Sequence, residues 1–379
     1  MRQQTQAVMA GRCVVALLIA LHAGSHHAQA QAPPTPEQVD ALFADWDNPG
    51  SPGCALGVIQ NGRFVYKKGY GSANLDWGIP ITPSTRFYMA SVSKQFVAAA
   101  IALLAQDGRL SLEDDIRTHL PELPEYEHPV TIRHLIHHTG GIKDLFPLLS
   151  VAGISVEDLH SIEDILEVIV REPLLDFEPG TQHRYSNSGY QLLGLIVERA
   201  SGKSLNEFAH ERIFEPLGMR NTHFHDDWTR VVIQRAMSYA PRDGGGFSQT
   251  YLGTLGYGMY TTVEDLLLWD GNFYEPKVGG QDFVELLFTR GVLAAGDTLD
   301  YAFGLRMQEY RGARVVHHDG SFMGFKHFLL QVPEKRLSVV CLCNLRSIDA
   351  RGLALQVAEL FGAWGVDDAP DESRSGVEP

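Results

Sequence analysis

After a Pro-rich stretch (residues 32–36) and a short helical segment, the sequence enters two runs of strand-like patterning, "CALGVIQNGRFVYKKGYG". They meet at Asn61-Gly62, the pair that best tolerates the positive φ angles of a two-residue turn, so the segment predicts a β-hairpin. From Ser91 to about Arg220 the apolar spacing changes to three and four. That period predicts helices over 95–106, 131–137, 161–170, 189–200 and 204–213, with Gly and Pro at their joints. Strand patterning returns in "YAFGLRMQEY", "ARVVHH", "FKHFLLQVP" and "LSVVCLCN", followed by a helix over about 348–361. Strands at both ends with helices between predict an α+β fold. One antiparallel sheet, flanked by helices, is built from the two chain ends, and an all-helical domain is inserted.

The termini read differently. Arg2 and Arg12 precede an apolar stretch (13–21) that ends before Ala28-Gln29-Ala30, the layout of a secretory signal. The stretch is too short for an ordinary membrane span, and Arg12 before Cys13 does not fit a lipoprotein cleavage box. The expectation is a signal peptide over 1–30, cleavage after Ala30, and release to the periplasm or outside the cell. What remains, roughly 350 residues, is more than one core usually needs. The expected division is a discontinuous sheet domain (31–86 and 255–365), a helical domain (87–254) and a polar, disordered tail (366–379). No internal repeat is present.

Composition narrows the partners. The formal net charge is −15, and it becomes more negative without Arg2 and Arg12. With no Lys/Arg cluster to offset it, nucleic acid and anionic membrane surfaces are excluded as expected partners. Outside the signal stand Cys54, Cys341 and Cys343, an odd number for an oxidising destination. Cys341 and Cys343 alternate with apolar residues and read as small buried hydrophobes, with a Cys54 disulfide to one of them open if their strands are neighbours.

Candidate chemistry begins at "ASVSKQFVAAAIALLA", where a lysine stands at the mouth of an apolar helix. Positions three apart in a helix differ by about 60° in azimuth, so Ser91 and Lys94 point to one side. A serine hydroxyl is a poor nucleophile until a base takes its proton, and desolvation drives a lysine toward its neutral, basic form. The helix N-terminus favours negative charge developing on an attacked carbonyl. The bland alternative has Ser91 or Ser93 capping the helix while Lys94 snorkels to solvent. A companion appears in "HRYSNSGYQLLG": Tyr185 can relay a proton, more easily beside a cation, and Asn187 can set its amide against a substrate amide. Its alternative is a core tyrosine with Asn187 or Ser188 as a helix cap.

The order Ser-x-x-Lys, Tyr-x-Asn, then a strand-borne cation followed by x-Gly resembles the penicillin-recognising serine hydrolases. These comprise class C β-lactamases, D-alanyl-D-alanine carboxypeptidases, D-aminopeptidases and related esterases. "LIHHTGGI", "RIFEPLGMRNT" and "GYGMYTTVEDLLLW" resemble further landmarks of that family, and the likeness runs from about Val39 to Phe361. It implies the β-lactamase/transpeptidase-like fold, Ser91, Lys94 and Tyr185 as catalytic residues, and no cofactor. Candidates for the cation-x-Gly element begin at His138, Lys277 and His318. Only His318 closes a β-patterned run, so the resemblance assigns His318 and Gly320 to substrate binding and gives the backbone N–H of Ser321, with that of Ser91, to an oxyanion hole.

The family's β-lactamases mostly carry Lys where this chain has His318. An ordinary histidine is largely neutral at pH 7 and charges below about pH 6, so carboxylate capture is expected to be weak. Metal readings of His134, His137 and His138, or of His223 and His225, lack a ligand motif such as His-Glu-x-x-His. His317 is expected to face away from His318. The expected function is a secreted serine hydrolase. It forms an acyl-enzyme on an ester, amide or D-amino-acid peptide, with at most weak action on β-lactams. The alternative is a non-catalytic peptidoglycan- or ligand-binding module on the same fold. The expected partner is a small-molecule or peptide substrate; oligomeric state is not legible.

Overall fold

The computed structural model describes residues 33–250 and 255–364. The expected signal peptide and tail lie outside them. Among the described residues no helix is long and apolar enough to cross a membrane.

The sheet is antiparallel and six-stranded, and its strands come from both ends of the chain. They are β1 (Cys54–Gln60), β2 (Arg63–Tyr70), β3 (Arg306–Tyr310), β4 (Ala313–Phe322), β5 (Phe325–Val332) and β6 (Leu337–Cys343), in the order β3-β4-β5-β6-β1-β2. The expected hairpin forms, with Asn61 at φ 52° and Gly62 at φ 75°. β3 starts late in its predicted run because Gly304 turns the chain at φ 70°. A Cβ there would meet the Gln95 backbone N at 2.5 Å.

β1 and β6 are buried along nearly their whole length, which is why they read as continuous apolar runs. Ala55 and Ile59 face one apolar cluster and Cys54, Leu56 and Val58 the other. Gly57 lets a helix at Val263–Asn272 approach: a Cβ there would meet Val263 Cγ1 at 2.5 Å. The register sets Cys54 opposite Cys343, and these two form a disulfide. Cys343 is therefore not simply a small hydrophobe; Cys341 remains a free, buried thiol.

Among the helices, α1 (Lys94–Gln106) is buried from Lys94 to Leu104, as expected of a helix apolar on all sides. α2 (Asn187–Ser201) begins two residues earlier than its apolar pattern because Ser186 caps it, accepting from Gly189 N–H. The predicted helix over 204–213 widens into a π-turn at His210–Phe214. A helix at Leu145–Val151, unforeseen in the sequence, accommodates Pro147 in its first turn, where no N–H is needed. We propose a division into a sheet domain and a helical domain as the organising scheme. One apolar cluster nevertheless runs from Ala55 and Leu342 to Phe96, Ile136 and Leu193.

Candidate active site

The chain reaches Ser91 through a bend. Ala90 holds φ 47°, a left-handed conformation that costs a non-glycine residue about 1 kcal/mol. A 3₁₀ turn (Ala90–Ser93) then leads into α1. The sheet holds this turn in place. His327 on β5 bonds the Tyr88 carbonyl at 2.8 Å, and Gly320 on β4 lies so close that a Cβ would meet the Met89 carbonyl oxygen at 2.5 Å. Neither serine caps α1. Ser93 donates to the Ala90 carbonyl at 2.7 Å, and Ser91 is left to face Lys94.

Lys94 does not snorkel; it is 7% exposed. Its Nζ donates to Ser91 Oγ at 3.2 Å and to Asn187 Oδ1 at 2.9 Å, and it sits 4.9 Å from the centre of the Tyr185 ring and 5.6 Å from that of Tyr190. Burial pushes its pKa down to about 7, against the pull of Asp144 and Asp319. Asn187 is fixed by a residue that sequence reasoning missed: Asp144 Oδ1 accepts from its backbone N–H at 2.5 Å and its side-chain amide at 2.9 Å. The available signal was an aspartate immediately before an apolar run, the mark of a helix cap, which Asp144 also is.

Tyr185 departs from expectation. Its hydroxyl is buried without a hydrogen-bond partner, and burial raises its pKa, while the Ser91 hydroxyl acts in the opposite direction. The sequence reading anticipated an easily ionised phenol beside a cation. Here the same burial moves the lysine down and the tyrosine up, so Lys94 is the group able to take a proton at neutral pH. Behind Tyr185 lies His138, their ring centres 4.3 Å apart, with its Nδ1 accepting the Ser186 N–H at 3.2 Å.

His318 lies on β4, 2% exposed, its ring centre 6.4 Å from that of Tyr185. Its Nδ1–H donates to the Asp319 carbonyl at 2.6 Å, which leaves Nε2 to accept from the Tyr301 hydroxyl at 3.0 Å. Burial lowers its pKa, so the charging expected below about pH 6 moves to lower pH. Positive charge comes instead from two residues outside any motif. The Arg306 guanidinium on β3 lies 5.5 Å from the Tyr301 ring centre and 6.0 Å from that of Tyr185, and takes part in no described ion pair. On β5, Lys326 donates to the hydroxyl of the exposed Ser321 at 2.8 Å. Lys277 stands in an exposed loop after the helix at Val263–Asn272.

The other histidines that could be read as metal ligands, and His317, have local partners. His134 Nδ1 accepts the Thr131 N–H, His137 Nε2 bonds the Thr289 carbonyl, and His223 pairs with His225. His317 stacks on Phe328 and bonds Gln308. Among the described residues, the one group of three or more metal-type ligands converging is Cys54, Cys341 and Cys343, two of them in the disulfide.

Ser91, Lys94 and Asn187 thus form one hydrogen-bonded cluster, with Tyr185 packed on it and His318 beyond. The arrangement can generate a nucleophile once Lys94 is neutral, which gives a pH test. kcat/KM for a neutral ester is expected to rise about tenfold per pH unit below about 7 and to level off above. The sign follows from a base that must lose its proton to act. A flat profile from about pH 5 to 9 would exclude Lys94 as that base.

The Beta-lactamase family model matches residues 39–360. A D-aminopeptidase of Gluconobacter oxydans is 29% identical over 343 residues, covering 88% of this chain and 62% of the relative, so the chain spans less than two thirds of that protein. Penicillin-binding protein 4* of Bacillus subtilis is 31% identical over 347 residues, covering 84% of this chain and 74% of the relative. Among solved structures, the octameric penicillin-binding protein homologue from Pyrococcus abyssi superposes with a TM-score of 0.75 at 26% identity, over 86% of this chain and 77% of that one.

Proposed function

The chain belongs to the beta-lactamase family, and on that premise we propose that it is a secreted serine hydrolase acting through an acyl-enzyme on a small ester, amide or D-amino-acid peptide. The observation that carries this reading is the buried Lys94 amine, donating to Ser91 Oγ at 3.2 Å with its pKa near 7. Neutral Lys94 takes the Ser91 proton as Oγ attacks the carbonyl, and the backbone N–H groups of Ser91 and Ser321 receive the oxyanion. Collapse expels the leaving amine or alcohol, which takes a proton from Lys94 directly or through Tyr185. Water then attacks the acyl-serine by the same base and releases the acid. Asn187 and Gly320 border the substrate, and Asp144 keeps the Asn187 amide aimed.

Arg306 refines the substrate class. His318 is neutral and bonded at both nitrogens, so replacing it with lysine would bury a charge rather than supply a clean one. The positive charge on this side belongs to Arg306, supported by Lys326. A substrate bearing a carboxylate near the scissile bond therefore fits better than the histidine alone implies. Arg306→Gln is expected to lower kcat/KM several-fold for a D-Ala-D-Ala peptide relative to a neutral p-nitrophenyl ester, with the difference shrinking in high salt. An unchanged ratio would remove Arg306 from recognition.

The name of the D-aminopeptidase relative adds D-amino-acid amides to the panel. Labelling by a fluorophosphonate, read by intact mass, together with turnover of p-nitrophenyl esters, nitrocefin, D-Ala-D-Ala peptides and D-amino-acid amides, tests the reading. Stoichiometric labelling with turnover supports it. Ligand binding without labelling or turnover would favour a non-catalytic module.

A further inference from the structure

The cleft at Ser91 differs at its two ends, and β4 carries the difference. From His318 to Phe322 this strand runs on past β3, whose pairing with it stops at Arg306 opposite His317. Alternate residues of a strand share a face, so His318, Gly320 and Phe322 turn the same way, toward the bend that carries Ser91. Contacts agree at each step. The His318 ring centre lies 6.4 Å from that of Tyr185, a Cβ at Gly320 would meet the Met89 carbonyl oxygen at 2.5 Å, and the Phe322 ring centre lies 5.7 Å from that of Tyr88. At about 3.3 Å per residue, His318 and Phe322 stand about 13 Å apart along the strand.

The Phe322 end is met from the other wall. Asp144, whose Oδ1 holds the Asn187 backbone and side-chain N–H groups, also accepts the Phe146 N–H through Oδ2 at 3.3 Å. One carboxylate thus fixes both the Asn187 amide and the chain that bears the Phe146 ring. Phe146 and Phe322 face each other with ring centres 6.2 Å apart and planes inclined by 29°. Phe322 is held as firmly, being the last residue of β4 and paired with Phe325 across a tight turn in which Met323 takes φ 53°. Both rings pack on the core yet stay partly exposed, which leaves surface for a ligand.

These two ends sort the two halves of a substrate. With its carbonyl oxygen at the Ser321 N–H, a substrate extends one way toward His318, where Tyr185 stands to pass a proton and Arg306 supplies positive charge. The leaving group belongs there. The acyl half then extends the other way, onto Phe322 and Phe146. An acetyl group has little surface to bury on these rings, whereas an aromatic acyl chain has much and can stack as aromatic pairs do.

We propose that Phe146 and Phe322, backed by Tyr88, form the acyl-side subsite and select an aromatic or branched apolar acyl group. The proposal rests on the serine-hydrolase reading above and adds to it the half of the substrate that Arg306 does not address.

The p-nitrophenyl esters of acetic and 3-phenylpropanoic acid share a leaving group and differ only in the acyl chain. With kcat/KM divided by each ester's rate with hydroxide, the parent is expected to favour the phenylpropanoyl ester about tenfold or more. Phe146→Ala and Phe322→Ala are each expected to lower that ratio several-fold. Phe146→Leu and Phe322→Leu keep apolar packing while removing the flat ring, and are expected to lower it less; they carry the test if an alanine variant does not fold. Val65→Ala, at an exposed position on the opposite edge strand β2, is expected to leave the ratio unchanged. Fluorophosphonate labelling counts the active sites in each sample. Equal losses on both esters in folded variants would make the ring pair a strut between the two walls and overturn the subsite. Turnover of both esters by the parent without a preference would overturn it alone, whereas absence of both labelling and turnover would overturn the serine-hydrolase reading and the subsite with it.

Discussion

A Ser91→Ala protein is expected to fold as the parent does and to lose turnover by about four orders of magnitude or more. The stability half of this expectation comes from what Ser91 does not do. It caps no helix, and its described side-chain hydrogen bond is the one from Lys94 at 3.2 Å. Lys94 keeps Asn187 as a partner at 2.9 Å when that bond is removed. The cost is therefore within about 1 kcal/mol, a few degrees in Tm. The activity half follows because no other described hydroxyl is bonded to Lys94, so no neighbouring serine takes over; Ser93 already donates to the Ala90 carbonyl. Thermal melting, fluorophosphonate labelling read by intact mass, and ester turnover check both halves. A folded variant that still labels or turns over near the parent rate would move the nucleophile elsewhere.

Much of this geometry is local and was therefore legible. Ser91 and Lys94 share a helix side by spacing alone, and Asn61-Gly62 carries its own turn chemistry. Contacts between distant segments were not. Asp144 reaches Asn187 across 43 residues, and only its capping role leaves a trace in the sequence. Arg306 opens a short strand and belongs to no motif; its place beside Tyr301 depends on how β3 meets β4. Cys341 and Cys343, two apart on one strand, both face the layer containing Cys54, and only the register of β1 on β6 selects Cys343.

The protonation states were illegible for a different reason. A lysine near a tyrosine reads on paper as a cation that ionises a phenol. The outcome turns instead on how completely each is buried, which is a property of the whole core. His318 follows the same rule. Its strand position was readable, but its neutrality depends on burial and on Tyr301, a residue with no motif to mark it.

Those protonation states make the Lys94–Tyr185 pair the sharpest remaining test. Lys94→Met keeps the apolar packing and removes the amine, and Tyr185→Phe removes a hydroxyl that has no partner. Each is expected to slow acylation by about a hundredfold or more, with Lys94→Met the more severe because Lys94 is the group that titrates near 7. The double variant is expected to lose much less than the product of the two, since both serve one proton path. Stability separates this from simple damage. The folded-state pKa of Lys94 lies below its unfolded value near 10.5, so the unfolded chain binds more protons between about pH 7 and 10.5, and this group's contribution to stability rises across that window. Below pH 7 the parent carries the full cost of a buried charge. Lys94→Met is therefore expected to be more stable than the parent at pH 6, with the gap closing as pH rises toward 10. Chemical denaturation across that range, alongside single-turnover acylation rates for the four proteins, reads both effects. Multiplicative rate losses would mean that the two side chains act independently, and a stability gap insensitive to pH would mean that Lys94 is not desolvated in the folded protein.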